Sequence, residues 1–129
     1  MAAVLIVDDS SAMRAFVRAA LEEDLAAEVT EAASGFEALR ELPRRAYDVV
    51  VADINMPDIN GLELIQFMRA SEHHRATPVL LISTESSKRD RARGLQVGAD
   101  AFLSKPFEAD ALTSLVRDLL SPKEGEAPR

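Results

Sequence analysis

The stretch Val49-Val50-Val51-Ala52-Asp53, continued by Ile54-Asn55-Met56-Pro57-Asp58-Ile59-Asn60-Gly61, decides how this chain is read. Four apolar, mostly β-branched residues without alternation read as a strand buried on both faces. Pro57, Asn60 and Gly61 then read as a loop before a helix. Asp53 is therefore a carboxylate placed where a central strand runs out, and that edge is where open α/β sheets bind ligands. Taken alone, Asp53 fits a turn or a helix cap equally well. The rest of the chain separates the two.

Outward from that stretch the pattern repeats. Residues 3–7 read as a buried strand ending in Asp8-Asp9, with Ser10 and Ser11 as N-cap candidates. Met13, Phe16, Val17, Ala20 and Leu21 recur at helical spacing over residues 11–24. Residues 27–32 read as a polar-interrupted strand at or near an edge. Phe36, Leu39 and Leu42 mark a second helix, closed by Pro43. The third strand spans 47–52, and a third helix spans 61–70 with Leu62, Ile65 and Met68 inward. A polar loop holds His73 and His74, both read as solvated. Val79-Leu80-Leu81-Ile82 is a fourth strand ending at Ser83-Thr84. A very polar fourth helix over 86–97 is interrupted by Gly94 and stopped by Gly98. Residues 100–104 form a fifth strand ending at Lys105-Pro106, and 107–120 a last helix. Strand then helix, five times over short connections, predicts a parallel sheet with helices on both faces. One domain is expected over residues 1–120, with 121–129 a disordered tail or linker stump.

Composition narrows the function. The 129 residues carry 15 basic and 22 acidic side chains, a formal charge of -7. That argues against direct nucleic-acid binding, which needs a basic face to neutralise phosphates. There is no Cys, hence no disulfide framework, thiolate metal site or thiol nucleophile. No apolar stretch approaches the ~18 residues of a membrane span, and the first residues do not form a signal peptide. The expectation is a cytoplasmic monomer.

The parallel sheet puts all strand C-termini on one edge. Past the first strand lie Asp8 and Asp9, past the third Asp53, past the fourth Ser83 and Thr84, past the fifth Lys105. The second strand delivers nothing obviously reactive. Two carboxylates about 4 Å apart repel by roughly 4 kcal/mol at an effective dielectric near 20. Three together take up protons or need cations. Lys105 offsets one charge, and a divalent cation would remove the remainder. An all-oxygen donor set points to magnesium rather than zinc. A carboxylate beside a divalent cation, a lysine and a hydroxyl suits phosphoryl transfer through an acyl phosphate. No glycine-rich phosphate loop is present, so the donor is a small phosphate or a phosphorylated protein rather than a held nucleotide.

These residues carry a resemblance. Val7-Asp8-Asp9-Ser10, Asp53-Ile54-Asn55-Met56-Pro57 with Gly61, Ser83-Thr84-Glu85, Gly98-Ala99-Asp100 and Lys105-Pro106-Phe107, in that order and spacing, are similar to the receiver domain of two-component response regulators, closest to its CheY-like single-domain chemotaxis group. The likeness covers about residues 3–120. It implies a (βα)5 flavodoxin-like three-layer sandwich with strand order 2-1-3-4-5. It implies that Asp53 accepts a phosphoryl group from a histidine kinase. Asp9, Asp53 and the Asn55 carbonyl would bind magnesium directly, and Asp8 through water. Lys105 would pair with Asp53 and then with phosphoryl oxygens, its bond to Pro106 being cis. Ser83 fills the switch hydroxyl position with Thr84 beside it, and Phe102 the switch aromatic position. Phosphorylation would draw Ser83 toward Asp53, let Phe102 turn, and change the surface of the fourth helix, fifth strand and fifth helix for a downstream protein target. Asn55 and Glu85 would tune dephosphorylation. Such a protein is no enzyme beyond its own phosphorylation and dephosphorylation. The fourth helix starts with Lys88 and Arg89 and continues with Arg91 and Arg93, against the helix dipole. That admits a docking patch for an acidic peptide, or a plain solvated face.

Two other readings stand beside it. One is a magnesium phosphatase of the haloacid-dehalogenase type. Its nucleophile sits on the first strand in an Asp-x-Asp pattern, whereas Asp9 is followed by Ser10, and no loop here is long enough for a cap. The other is a receiver cut from a longer DNA-binding regulator, with 121–129 as its linker.

Overall fold

The computed structural model describes residues 1–84 and 88–121. Strands β1 (Ala3–Val7), β2 (Glu28–Ala32), β3 (Val49–Asp53), β4 (Val79–Ser83) and β5 (Ala101–Ser104) alternate with helices α1 (Ser11–Leu25), α2 (Gly35–Glu41), α3 (Gly61–Arg69), α4 (Lys88–Val97) and α5 (Ala109–Leu120). The strands pair in parallel in the order β2-β1-β3-β4-β5. The expected (βα)5 flavodoxin-like sandwich and its 2-1-3-4-5 order are what the chain forms.

Alternation across the pleat divides the strands between two cores. Val4, Ile6, Val49, Val51, Leu80 and Ile82 face Val17 and Leu21 of α1 and Leu112 and Val116 of α5. Leu5, Val7, Val50, Ala52 and Leu81 face Ala38 of α2 and Leu62, Ile65 and Met68 of α3. Both faces of β1, β3 and β4 are thus covered, and every residue of those strands is buried. That is the physical reason they read as unbroken apolar runs. β2 lies at an edge, where Thr30 and Glu31 stay half-buried.

Local chemistry sets the helix ends. Ser10 caps α1 by accepting from the Met13 N–H, and Ser34 caps α2 by accepting from Glu37. Asn60 and Glu63 form a reciprocal capping box on α3, a device worth about 1 kcal/mol. α4 runs through Gly94 without the expected interruption, and Gly94 is its one buried residue among those described. A Cβ there would meet Leu81 Cδ1 at 2.9 Å, so the glycine lets α4 lie close on β4. Gly98, at φ 107°, ends the helix.

Several boundaries move. β3 begins at Val49 rather than residue 47 and takes in Asp53 as its last member. α2 stops at Glu41, and Pro43 sits in the opening positions of a 3-10 turn, Leu42–Arg44, where its missing N–H is harmless. α5 begins at Ala109, because Glu108 supplies the extended cap residue. Phe36 marks no buried face and is 61% exposed. Phe16, 42% exposed, instead packs its ring 5.8 Å from that of Phe107.

His74 corrects the sequence reading. His73 is exposed, but His74 is only 3% exposed. Its Nε2 donates to the Leu42 carbonyl at 2.6 Å, and Nδ1 lies 3.0 Å from the Thr77 hydroxyl. The loop after α3 folds back under the 3-10 turn, and a histidine with both ring nitrogens engaged satisfies that buried carbonyl. A polar neighbourhood in sequence gave no sign of it. Of the expected tail, 121–129, residues 122–129 lie outside the described residues, as does Glu85.

Candidate functional site

Parallel pairing carries the strand ends to one rim. The Asp8 N–H still bonds the Ala32 carbonyl at 3.1 Å, so Asp8 leaves β1 at the last rung of the ladder. Asp53 pairs with Ile82 on β4, and the Lys105 N–H reaches the Ser83 carbonyl at 2.7 Å. The consequence is convergence. One carboxylate oxygen each from Asp8, Asp9 and Asp53 lies within 4.8 Å of the others. Lys105 Nζ sits 3.2 Å from Asp53 Oδ2 and 3.6 Å from Asp8 Oδ2. Asp8 and Asp53 are buried, at 3% and 5% exposed, while Asp9 is open to solvent.

The loops aim these groups. Asp8 accepts from the Ser10 N–H at 2.8 Å, and Asp53 Oδ1 from the Asn55 N–H at 3.0 Å. The loop after Asp53 closes when Gly61 N–H bonds the Ile54 carbonyl at 3.0 Å. A Cβ at Gly61 would stand 2.6 Å from the Asp53 carbonyl oxygen, which is backbone and has nowhere to go. Only glycine permits this approach. The Lys105–Pro106 bond is cis.

Burial pushes the Asp8 carboxyl up from its ordinary value. The Ser10 N–H opposes the rise, the charges of Asp53 and Asp9 add to it, and Lys105 counters it. Three acids against one ammonium leave about two negative charges, which a divalent cation matches. Magnesium holds oxygens at about 2.1 Å in an octahedron, which sets neighbouring ligands about 3 Å and opposite ones about 4.2 Å apart. Carboxylate oxygens within 4.8 Å of one another are spaced on the scale of that octahedron, with neighbouring ones drawing closer around the ion. No histidine or cysteine joins the cluster among the described residues. The donor set therefore fits magnesium.

Ser83 is fully buried and Thr84 exposed, so of the two adjacent hydroxyl residues Ser83 closes the strand inside the rim. Asn55 is exposed. With Ile54, Met56, Pro57, Asp90 and Arg93 it lines a cleft between the loop after β3 and α4. Phe102 is half-buried on β5, and the Arg91 guanidinium sits 4.9 Å over its ring. An apolar cleft of about 210 Å³ lined by Leu39, Leu42, Phe67 and His74 contains none of the acids.

Two features went unread in the sequence. β2 does contribute to the rim: Glu31 pairs with Arg14 at 2.9 Å and Arg18 at 2.7 Å, and Arg14 Nη1 donates to the Asp8 carbonyl at 2.6 Å. Arg14 and Arg18 stand four apart on one helix face, the spacing that could have flagged them. Asp58 accepts from the N–H groups of Gly35 and Phe36 and so caps α2 from the neighbouring loop. These donors, Phe36 first, hold its carboxyl below the usual range.

A family model for the response regulator receiver domain matches residues 4–117. Response regulator Rre1 of Synechocystis is 36% identical over 96% of this chain, and the chain spans 54% of that protein's length. The structure of Vibrio cholerae chemotaxis protein CheY4 superposes with a TM-score of 0.87 at 38% identity, covering 93% of this chain and 99% of that one. The receiver domain of sensor histidine kinase PA1611 from Pseudomonas aeruginosa, solved with magnesium in its active-site cleft, gives a TM-score of 0.84 at 28% identity over 92% of this chain and 97% of its own.

Proposed function

Because this chain belongs to the response regulator receiver domain family, we propose that it takes a phosphoryl group on Asp53 from a histidine kinase and passes the signal to a protein partner. The observation that carries the reading is the contact of Asp53 Oδ2 with Lys105 Nζ at 3.2 Å, inside a cluster of three carboxylates. An Asp53 oxygen attacks phosphorus, the P–N bond to the kinase histidine breaks, and that histidine leaves with the bonding pair. Lys105 follows the negative charge from the carboxylate to the phosphoryl oxygens. Asp8, Asp9, Asp53 and the Asn55 carbonyl would hold magnesium, which when bound neutralises charge on the transferring group. Water later cleaves the acyl phosphate, with Asn55 and Glu85 setting its access.

The output follows from differential contacts. Ser83, buried at the end of β4, bonds the new phosphoryl group, and Phe102 repacks against α4. The face of α4, β5 and α5 then changes for its partner, and the basic run of α4, Lys88, Arg89, Arg91 and Arg93, offers a docking patch for an acidic peptide. We assign the circuit to chemotaxis or motility, supported by the likeness to CheY4. The partial coverage of Rre1 supports a second reading, a receiver within a longer regulator. The test is transfer from a panel of radiolabelled phosphohistidine kinases, followed by pull-down with phosphorylated and unphosphorylated protein. Label on Asp53 and a partner captured in one state only are expected. No transfer, or identical partners in both states, rejects the proposal.

A further inference from the structure

We propose that Arg14, braced by Glu31, is a positioning residue that fixes the Asp8–Asp9 peptide for divalent-cation binding; this rests on the receiver reading of the rim. The loop of Asp8, Asp9 and Ser10 must hold two carboxylates that repel. Three hydrogen bonds that involve side chains fasten it: the Asp8 carboxylate to the Ser10 N–H, the Ser10 hydroxyl to the Met13 N–H, and Arg14 Nη1 to the Asp8 main-chain oxygen at 2.6 Å. The first two shape the turn and cap the helix. The third does something different. The Asp8 carbonyl belongs to the same planar unit as the Asp9 nitrogen. Fixing that oxygen fixes the plane, and with it the direction in which Asp9 leaves the chain. Asp9 is exposed, and its carboxylate has no hydrogen bond of its own among the described residues, so its aim depends on its backbone.

Arg14 is itself held. Its Nε meets Glu31 Oε1 at 2.9 Å, leaving the Arg14 side chain 16% exposed. The other Glu31 oxygen takes Arg18 at 2.7 Å, and Arg18 reaches Glu22 at 3.0 Å. A planar fork with one branch on a carboxylate and another on a carbonyl cannot swing without losing both. Glu31 stands on β2 at the register of Ile6, so the brace spans from the edge strand to the end of β1.

Charge alone predicts the opposite behaviour. A guanidinium bonded to the Asp8 main chain repels an incoming cation, so deleting it should tighten binding. Positioning predicts weakening. The sign of one measurement therefore decides. Magnesium is titrated calorimetrically into wild type, Arg14→Met, Arg14→Lys, Glu31→Gln and Arg18→Met, with thermal melts confirming that each is folded. Arg14→Met should bind about tenfold more weakly, the scale expected when a group orienting a metal ligand is lost. Arg14→Lys restores the charge without the fork and should remain weaker than wild type. Glu31→Gln keeps the Arg14 charge, loosens its brace, and should also weaken binding. Arg18→Met removes only the outer contact of Glu31 and should weaken binding less than Arg14→Met does. If Arg14→Met fails to fold, Arg14→Lys decides, because it keeps the charge and loses the fork. Magnesium binding that is equal or tighter in Arg14→Met or in Arg14→Lys overturns the brace while leaving the receiver reading intact. A wild type that binds no magnesium overturns both.

Discussion

Replacing Asp8 by Asn should stabilise the metal-free protein and weaken its response to magnesium. Asp8 lies within 4.8 Å of both Asp9 and Asp53. At an effective dielectric near 20 each pair repels by about 3.5 kcal/mol. Lys105, 3.6 Å away, returns about 4.6 kcal/mol of attraction to Asp8 on the same scale. The balance is about 2 kcal/mol of net repulsion, before the penalty for burying the charge. The raised Asp8 carboxyl has the same sign. A carboxyl whose folded value is raised stabilises the fold while protonated, and that contribution fades as pH rises through the raised value. The amide imitates the protonated form at all pH and still accepts from Ser10. Asp8→Asn should therefore gain about 1–2 kcal/mol in chelator at neutral pH, raising the melting midpoint by about 5 °C or more. Magnesium at 100 times its Kd adds about 2.7 kcal/mol to wild type, and less to the variant, so the gap should close or reverse. Calorimetric melts with chelator and with magnesium make the comparison. A variant less stable than wild type in chelator would show that these acids are not in conflict at the rim.

Other expectations follow from single contacts. Gly61→Ala places a Cβ 2.6 Å from the Asp53 carbonyl oxygen; it should lose about 1–3 kcal/mol in chemical denaturation and accept phosphate more slowly. Asp58→Asn removes the charge that caps α2. Because the Asp58 carboxyl is depressed, its contribution exists above the usual carboxylate range and disappears as pH falls through the depressed value. Wild type and variant should therefore differ at neutral pH and converge in strong acid, as followed by melts across pH. His74→Phe leaves the Leu42 carbonyl without its donor, and urea unfolding should show a loss of about 1–3 kcal/mol.

The sheet was legible because its central strands are covered on both sides, which writes continuous apolar runs into Ala3–Val7 and into the strands that end in Asp53 and Ser83. Parallel pairing then made the gathering of Asp8, Asp9, Asp53 and Lys105 a matter of topology rather than of side-chain detail. What escaped depends on contacts between segments distant in sequence. Arg14, Glu31 and the Asp8 carbonyl meet only once β2 lies beside β1. Asp58 caps a helix it does not precede, and His74 answers a carbonyl 32 residues away. Helix ends also shifted where a cap residue, such as Glu108, rather than the apolar period sets the first turn.

The central claim is that the acids at this rim hold a divalent cation and, with it, let Asp53 take a phosphoryl group. Intact-mass measurement after incubation with acetyl phosphate tests it directly, using wild type and Asp53→Asn, each with magnesium or with chelator. One phosphoryl adduct on wild type with magnesium, and none in the other three samples, is the predicted result. An adduct that survives chelation, or one that Asp53→Asn still acquires, would contradict the account.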